Sequence, residues 1–156
     1  MRSRKFGWLL AALFLTGFID IKKPVVSVEL SAAPATVTAG GTARLNVHFT
    51  IQDNWHIYAQ EPGEAGLPTK VALEGPPADI TFAPLKWPRP ERLVDPGDIK
   101  TFGYTSDLTL SSDMTVSPTA ASPVPIHAKV EWLACRNLCV PGSVELDLAL
   151  PVIPAA

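Results

Sequence analysis

The chain has 156 residues, of which 47% are hydrophobic and 18% are charged, and its formal net charge is −2. This length fits a single domain, and the apolar content supports a buried core and excludes an intrinsically disordered chain. The net charge is slightly negative and the basic residues are scattered along the chain, so the sequence does not have the clustered basic residues of a nucleic-acid-binding protein.

The first 23 residues have the composition of an export signal or an N-terminal anchor. Met1–Lys5 is basic, and Phe6–Ile19 is an apolar stretch of signal length. A spanning helix needs roughly 20 apolar residues, so a signal is favoured over a stable anchor. No small-x-small cleavage triplet follows the apolar stretch directly, so cleavage and retention both stay open. In either case we expect residues 25–152 to form an exported domain.

The residues after Pro24 show the patterns of an all-β protein. Apolar and polar side chains alternate in Val25–Leu30 and Thr42–Ile51, which is the period of a half-buried strand. Sixteen prolines, mostly between the strand-like runs, would break helices. We therefore predict an antiparallel β-sandwich of seven to nine short strands. Further short runs are Trp55–Tyr58, Val71–Leu73, Ile80–Phe82, Leu108–Leu110, Met114–Val116, Ile126–Trp132 and Val144–Leu150.

One connection between these runs is longer than the others. The stretch from Pro84 to Tyr104 is rich in proline and carries the aromatic residues Trp87 and Phe102. Two neighbouring strands can be joined by only a few residues. Loops of this length inside compact domains are therefore usually functional. The sequence therefore predicts that this connection contributes to a site.

Cys135 and Cys139 are the only cysteines of the chain, and they follow a strand-like run. The spacing fits a tight hairpin loop between a strand ending at Ala134 and one opening near Val144, which permits a disulfide. Closing so short a loop stabilises the fold by only about 2 kcal/mol in the chain-entropy model. The spacing therefore favours a reactive disulfide, and a plain structural bridge stays open. Pro141 is expected to bend the chain away from regular pairing, leaving Cys139 nearer the rim.

The Cys-x-x-x-Cys spacing is also compatible with a metal site that has a histidine as its third ligand. Of the candidates His48, His56 and His127, His56 beside Trp55 is the best placed. The strand alternation points His48 to solvent, and His127 lies eight residues before Cys135, far along a strand. We therefore expect neither a metal nor another cofactor.

The run from Glu131 to Gly142, Glu-Trp-Leu-Ala-Cys-Arg-Asn-Leu-Cys-Val-Pro-Gly, resembles the cysteine motif of the amino-terminal periplasmic domain of the thiol:disulfide interchange protein DsbD and its relatives. Upstream segments fall in the order that this family shows, and the resemblance covers residues 26–150. It implies an immunoglobulin-like β-sandwich in the periplasm, with the cysteine pair near one end. The segments are Trp55–Tyr58, Pro62-Gly63, Gly66–Thr69, Trp87–Arg92 and Phe102–Tyr104.

The resemblance also implies an electron relay. In the family, the pair receives electrons from a membrane-embedded partner and passes them to periplasmic oxidoreductases. The partners here would be a membrane thiol-electron transporter and thioredoxin-like periplasmic proteins, with Cys139 forming the mixed disulfide and Cys135 resolving it. We expect a stand-alone version of the module, which would take its electrons from another polypeptide. The alternative is a non-catalytic immunoglobulin-like binding module with a structural disulfide.

A cap over the pair is a further implication of the resemblance, because in the family a loop with an aromatic residue covers the cysteines and moves aside for partners. Its counterpart would be Asp98–Tyr104, with Phe102 or Tyr104 as the covering ring and Gly103 as a hinge. Arg136 would favour a thiolate electrostatically. The residues expected around the site are Trp55, Tyr58, Asp98 and Arg136, and Trp132 is expected in the core.

Overall fold

The computed structural model of the chain describes residues 23–156, so the export segment predicted for residues 1–23 lies almost entirely outside the described residues. Within the described part, the secondary structure consists of twelve strands and the turns between them. The strands are β1 (Val26–Ala33), β2 (Val37–Thr38), β3 (Thr42–Ile51), β4 (His56–Gly63), β5 (Lys70–Glu74), β6 (Ile80–Phe82), β7 (Glu91–Asp95), β8 (Ile99–Tyr104), β9 (Leu108–Val116), β10 (Val124–Cys135), β11 (Cys139–Leu150) and β12 (Val152–Ile153).

The strands form two antiparallel sheets that pack into a β-sandwich. One sheet has the order β1-β3-β9-β6, and the other has the order β11-β10-β4-β8-β7, with β5 also paired to β10. A separate short pair, β2 with β12, is parallel. The predicted immunoglobulin-like antiparallel sandwich is confirmed, and this parallel pair is the departure from it among the described strands.

The core lies between the two sheets because the long strands alternate buried and outward-facing residues. In β3, Val47 and Phe49 are fully buried, and the residues beside them face outward. In β10, Ala128 and Val130 are fully buried in the same way. Burying one large aliphatic or aromatic side chain contributes roughly 1.5–3 kcal/mol, so this alternation, which the sequence predicted, is the main source of stability.

The stretch from 84 to 104, predicted as one long connection, ends in a hairpin. Strands β7 and β8 pair antiparallel, and three residues join them. Gly97 and Asp98 in this turn have φ angles of 92° and 60°, which let the chain reverse within so few residues. The alternation of β7 covers only five residues between prolines, and this is why the sequence pattern did not reveal it.

The β10–β11 hairpin carries the cysteine pair at its tip. The antiparallel register continues without interruption to the pair Cys135–Cys139, so β11 begins at Cys139 rather than near Val144. The predicted hairpin is thereby confirmed. Pro141 stays in the ladder opposite Leu133, so the expectation that it bends the chain out of the pairing is wrong. An edge strand tolerates proline because one side of its backbone needs no partner, and β11 is such a strand.

Phe49 links the core to the cysteine-bearing hairpin. It is fully buried, and its ring packs edge-on against Trp132 with 6.4 Å between the ring centroids. We predict that Phe49→Ala lowers the free energy of unfolding by about 3–5 kcal/mol, because the substitution leaves a cavity. Denaturant-induced unfolding measures this. Leu67→Ala, at a side chain that is 60% exposed, is the control and should change it by less than about 0.5 kcal/mol. Similar small losses for both variants would contradict this core.

Candidate redox site

Cys135 and Cys139 form a disulfide at the tip of the β10–β11 hairpin. Their Cα atoms are 4.1 Å apart, well within the reach that a disulfide needs. The backbone N–H of Arg136 donates a hydrogen bond of 3.0 Å to the carbonyl oxygen of Leu138, which closes the three-residue loop. Because the strand register sets the two cysteines directly opposite each other, the pair is positioned by the hairpin itself.

The two bonded cysteines differ in their exposure to solvent. Cys135 is 3% exposed, whereas Cys139 is exposed. The apolar side chains of Leu138 and Val140, on either side of Cys139, are 61% and 40% exposed. A macromolecule that approaches the hairpin tip therefore meets Cys139 first, and Cys135 lies behind it.

Cys135 faces a small, largely buried polar cluster. The hydroxyl of Tyr58 lies 3.6 Å from Cys135 Sγ and 3.2 Å from Asp95 Oδ2, and its single proton serves one of these acceptors at a time. Thr101, which is fully buried, donates its hydroxyl to the same Asp95 oxygen at 2.9 Å. His56 Nε2 lies 3.6 Å from the other oxygen, Asp95 Oδ1. Asp95 is thus the centre of a cluster that reaches the disulfide through Tyr58.

Strand geometry explains why these residues meet. The antiparallel register of β4 and β10 sets His56 opposite Cys135, and Tyr58, two residues later, projects from the same face of β4. Asp95 comes from the end of β7 and Thr101 from β8, the two strands that continue the sheet beyond β4.

The tyrosine of this cluster is held in its protonated form. Burial, followed by the charge of Asp95 and the hydrogen bond to it, raises the pKa of Tyr58 to about 12. All three effects disfavour a phenolate, because a buried anion beside a carboxylate loses solvation, is repelled, and loses the hydrogen bond that the hydroxyl donates. At physiological pH the Tyr58 hydroxyl is therefore a hydrogen-bond donor that Cys135 can use.

The loop after β4 fixes the position of the Tyr58 ring. Gly66 has a φ of 92°, and a Cβ atom placed there would lie 2.6 Å from the Tyr58 ring. The buried hydroxyl of Thr69, from the same loop, donates a 2.6 Å hydrogen bond to the backbone carbonyl oxygen of Tyr58. The glycine is needed both for its backbone angle and for the space that the ring occupies.

A cavity of about 320 Å³ lies beside the disulfide. The loop after β4 forms one wall, the β7–β8 turn forms the other, and the hairpin tip closes the end. Both cysteines are among the lining residues, which are Tyr58, Ala65, Gly66, Asp95, Pro96, Ile99, Leu133, Cys135, Arg136, Asn137, Leu138 and Cys139.

Of the four residues expected around the site, two line the cavity, and Trp55 and Asp98 do not. Tyr58 and Arg136 line the cavity. The Arg136 guanidinium carbon also lies 5.3 Å from the centroid of the Trp55 ring, a cation–π contact that anchors the loop between the cysteines. Asp98 is exposed in the β7–β8 turn and is not among the lining residues. Trp132 is half-buried and packs against the core, as expected.

Phe102, Gly103 and Tyr104, predicted as the covering ring and hinge of the cap, lie in strand β8, outside the lining of this cavity. Tyr104 is buried, and its hydroxyl donates to a backbone carbonyl of the proline-rich segment at 2.8 Å. Phe102 packs against the core, and Gly103 lies tightly against the backbone of β4. Instead, Pro96 in the preceding turn and Ile99, the first residue of β8 and part of the predicted Asp98–Tyr104 segment, line the cavity. The strand alternation of β8 directs the aromatic pair away from the sulfurs.

Sequence reasoning did not select Asp95 or Thr101, and it considered His56 only as a metal ligand. The run Val94-Asp95-Pro96-Gly97-Asp98 contains the residues of a tight turn. Reading it as a hairpin turn would have set Asp95 at the end of a strand, the place from which it reaches the site.

The other two histidines are engaged on the surface. His48 Nδ1 lies 2.8 Å from Thr109 Oγ1, and His127 Nδ1 lies 2.8 Å from Asp147 Oδ1. The hydrogen bond to Asp147 raises the pKa of His127. Among residues 23–156, no group of three or more His, Cys, Asp or Glu side chains has the arrangement of a metal site.

The sequence of the chain matches a known protein family over most of its length. The model of the N-terminal domain of the thiol:disulfide interchange protein DsbD matches residues 24–151. The chain belongs to this family. No curated protein sequence matches the chain. The described residues contain no helix with the length and hydrophobicity that a membrane crossing requires.

Solved structures with low sequence identity share the fold of this DsbD N-terminal domain. The N-terminal periplasmic domain of ScsB from Proteus mirabilis aligns with a TM-score of 0.61 at 20% identity, over 82% of this chain and 47% of that chain. This chain thus spans about half the length of that N-terminal domain. The complex between the DsbD N-terminal and PilB N-terminal domains from Neisseria meningitidis aligns with a TM-score of 0.51 at 17% identity, over 88% of this chain and 95% of that chain.

We predict that Gly66→Ala displaces the Tyr58 ring and destabilises the domain. Gly40→Ala is the control, because Gly40 also has a positive φ (78°) but its nearest neighbour would be an ordinary 3.5 Å from the new Cβ. Each substitution carries a backbone cost of about 1–2 kcal/mol. Gly66→Ala should lose about 1–3 kcal/mol more, because the ring must shift. Denaturant unfolding compares the two variants, and equal losses would show that Gly66 does not hold the ring.

Proposed function

We propose that this domain exchanges disulfides with protein partners and relays electrons between a membrane thiol donor and periplasmic oxidoreductases. One observation carries the proposal: an exposed Cys139 is bonded to an enclosed Cys135, and the enclosed sulfur faces the Tyr58 hydroxyl. A structural bridge needs neither an accessible sulfur nor a polar group beside the other one. Membership of the DsbD N-terminal family supports the same activity.

Reduction of the domain would begin at the exposed sulfur. A thiolate of the donor attacks Cys139 Sγ, a bond forms between these two sulfurs, and the Cys135–Cys139 bond breaks. The electron pair of the broken bond leaves on Cys135 Sγ as a thiolate. The Tyr58 hydroxyl, 3.6 Å away, then turns from Asp95 and donates to this sulfur. The second thiolate of the donor then attacks the donor sulfur of the mixed disulfide, the bond to Cys139 Sγ breaks, and Cys139 leaves as a thiolate, which releases the reduced domain and an oxidised donor.

Delivery of electrons reverses this sequence. The Cys139 thiolate attacks the disulfide of an oxidised partner and forms a mixed disulfide with one of its sulfurs. Cys135 then attacks Cys139 Sγ, which re-forms the internal disulfide and leaves the partner with two thiols. The short hairpin loop keeps Cys135 within reach of Cys139 throughout, so resolution is intramolecular and fast compared with attack by a free thiol.

The surface beside Cys139 supports a protein as the partner. Leu138 and Val140 flank it, and Leu67 stands on the neighbouring loop, all three with large exposed apolar side chains. Such side chains favour association when they cluster. The Neisseria meningitidis structure described as a complex of DsbD and PilB N-terminal domains shows that a domain with this fold binds another protein. Thioredoxin-like partners and a periplasmic location are part of the proposal, in line with the family.

Trapping of mixed disulfides tests the assignment of the two cysteines. Cys135→Ala should accumulate a mixed disulfide with a thioredoxin-like protein through Cys139, because the resolving sulfur is gone and the exposed one remains. Cys139→Ala should trap at least several-fold less. Non-reducing electrophoresis with mass spectrometry measures both, and the double variant is the blank. The opposite pattern would exchange the two roles, and no trapping by either variant would favour the binding module with a structural disulfide.

We further propose that the β7–β8 hairpin covers the pair and that Ile99, at the start of β8, is the covering side chain. In a Cys139→Ala protein, Ile99→Ala should then speed the reaction of Cys135 with a bulky thiol reagent several-fold, because the cavity wall is opened. Phe102→Ala and Tyr104→Ala should leave this rate unchanged. Faster reaction of either aromatic variant, with no effect of Ile99→Ala, would restore the cap that the sequence resemblance implies.

A further inference from the structure

His56 carries a buried ring nitrogen that no hydrogen bond satisfies. Nε2 is the one such side-chain atom among residues 23–156, and the side chain is 15% exposed. Most buried polar atoms in native proteins have a partner, so an exception calls for a role or for another state that satisfies it. The carboxylate of Asp95, 3.6 Å from this nitrogen, is too far for a hydrogen bond and close enough for a strong charge interaction.

The location of His56 ties it to the disulfide. It lies directly opposite Cys135 in the antiparallel pairing of β4 with β10, and opposed residues have Cβ atoms about 4.5–5.5 Å apart. Its ring also packs edge-on against Tyr58, with 5.1 Å between the ring centroids. His56 is therefore held between the strand that carries Cys135 and the tyrosine that touches its sulfur.

A carboxylate in this cluster opposes the chemistry of Cys135. Asp95 is connected to Cys135 Sγ through the Tyr58 hydroxyl, and a negative charge so close disfavours a thiolate. A protonated imidazole beside Asp95 would offset that charge. Two further titratable or charged groups lie near His56: Tyr58, which stays protonated, and Arg136, whose side chain lies at the exposed surface over the adjacent Trp55.

We propose that His56 is a positioning residue for the exchange: in its protonated form it offsets the charge of Asp95 and so favours the Cys135 thiolate. The inference rests on the proposed function, because this thiolate leaves when the thiolate of a partner dithiol bonds to Cys139 Sγ and the internal bond breaks. No proton leaves His56 in that step.

The test uses the full chain with Cys139→Ala, in which Cys135 is the only thiol. The ultraviolet absorbance of the thiolate and the alkylation rate with iodoacetamide are measured across pH. His56→Gln should move the midpoint of thiolate formation to higher pH by about one unit. Asp95→Asn should move it to lower pH. With Asp95→Asn already present, His56→Gln should have little further effect, because His56 acts through that carboxylate.

The controls are His48→Gln and His127→Gln, which remove surface histidines with partners elsewhere and should leave the midpoint unchanged. Structural damage would not shift the midpoint in opposite directions for His56→Gln and Asp95→Asn. No shift for His56→Gln, or the same shift with and without Asp95, overturns the proposal. If His56→Gln does not fold, an NMR titration of the His56 ring replaces it: titration in concert with Cys135 supports the proposal, and independent titration overturns it.

This test needs no partner, so its failure is distinguishable from failure of the proposed function. A shifted midpoint together with no mixed disulfide in the trapping experiment would uphold the role of His56 and remove disulfide exchange. Mixed disulfides together with an unshifted midpoint would uphold disulfide exchange and remove the role of His56.

Discussion

The antiparallel register of β10 and β11 is the constraint on which the site depends. It sets Cys135 directly opposite Cys139, and the same strand β10 pairs with β4 so that His56 stands across from Cys135. A slip of one residue in either pairing would turn these side chains to the other face of the sheet. Register is strongly specified here because the opposite face of β10 is buried in the core, so packing and redox geometry are fixed together.

The sheet also creates the difference between the two sulfurs. Cys135 lies between β4 and the edge strand, whereas Cys139 opens that edge strand at the hairpin tip. Among the described residues, no strand is hydrogen-bonded to the outer edge of β11, and Cys139 at its end is exposed. Cys135 is buried behind the exposed sulfur and lies beside the Tyr58–Asp95 cluster. In this largely buried place, neighbouring charges have a strong effect on the stability of a thiolate. One short hairpin thus separates an exposed sulfur, which we propose reacts with partners, from a buried sulfur beside the polar cluster.

Much of this fold was predictable from the sequence, because strand alternation reports burial residue by residue. The alternation of Thr42–Ile51 and the motif around the cysteines gave the sandwich and the disulfide-bearing hairpin. The polar cluster was not predictable in the same way, since Asp95 and His56 are far apart in sequence and meet only through pairing of β4 and β7 with β8. The orientation of Phe102 was not predictable either. It lies in β8 and packs against the core, but the proline-rich stretch around it does not reveal that strand unless the β7–β8 hairpin is recognised.

The reduction potential of the Cys135–Cys139 couple tests the central claim most directly. It is measured by equilibrating the domain with a buffer of known potential and quantifying the oxidised fraction. A relay must both accept and give up electrons, so we predict a value above about −300 mV, in the range of roughly −270 to −120 mV that thiol–disulfide oxidoreductases span. A value well below about −300 mV would contradict the account, because it is typical of structural disulfides that partners do not reduce.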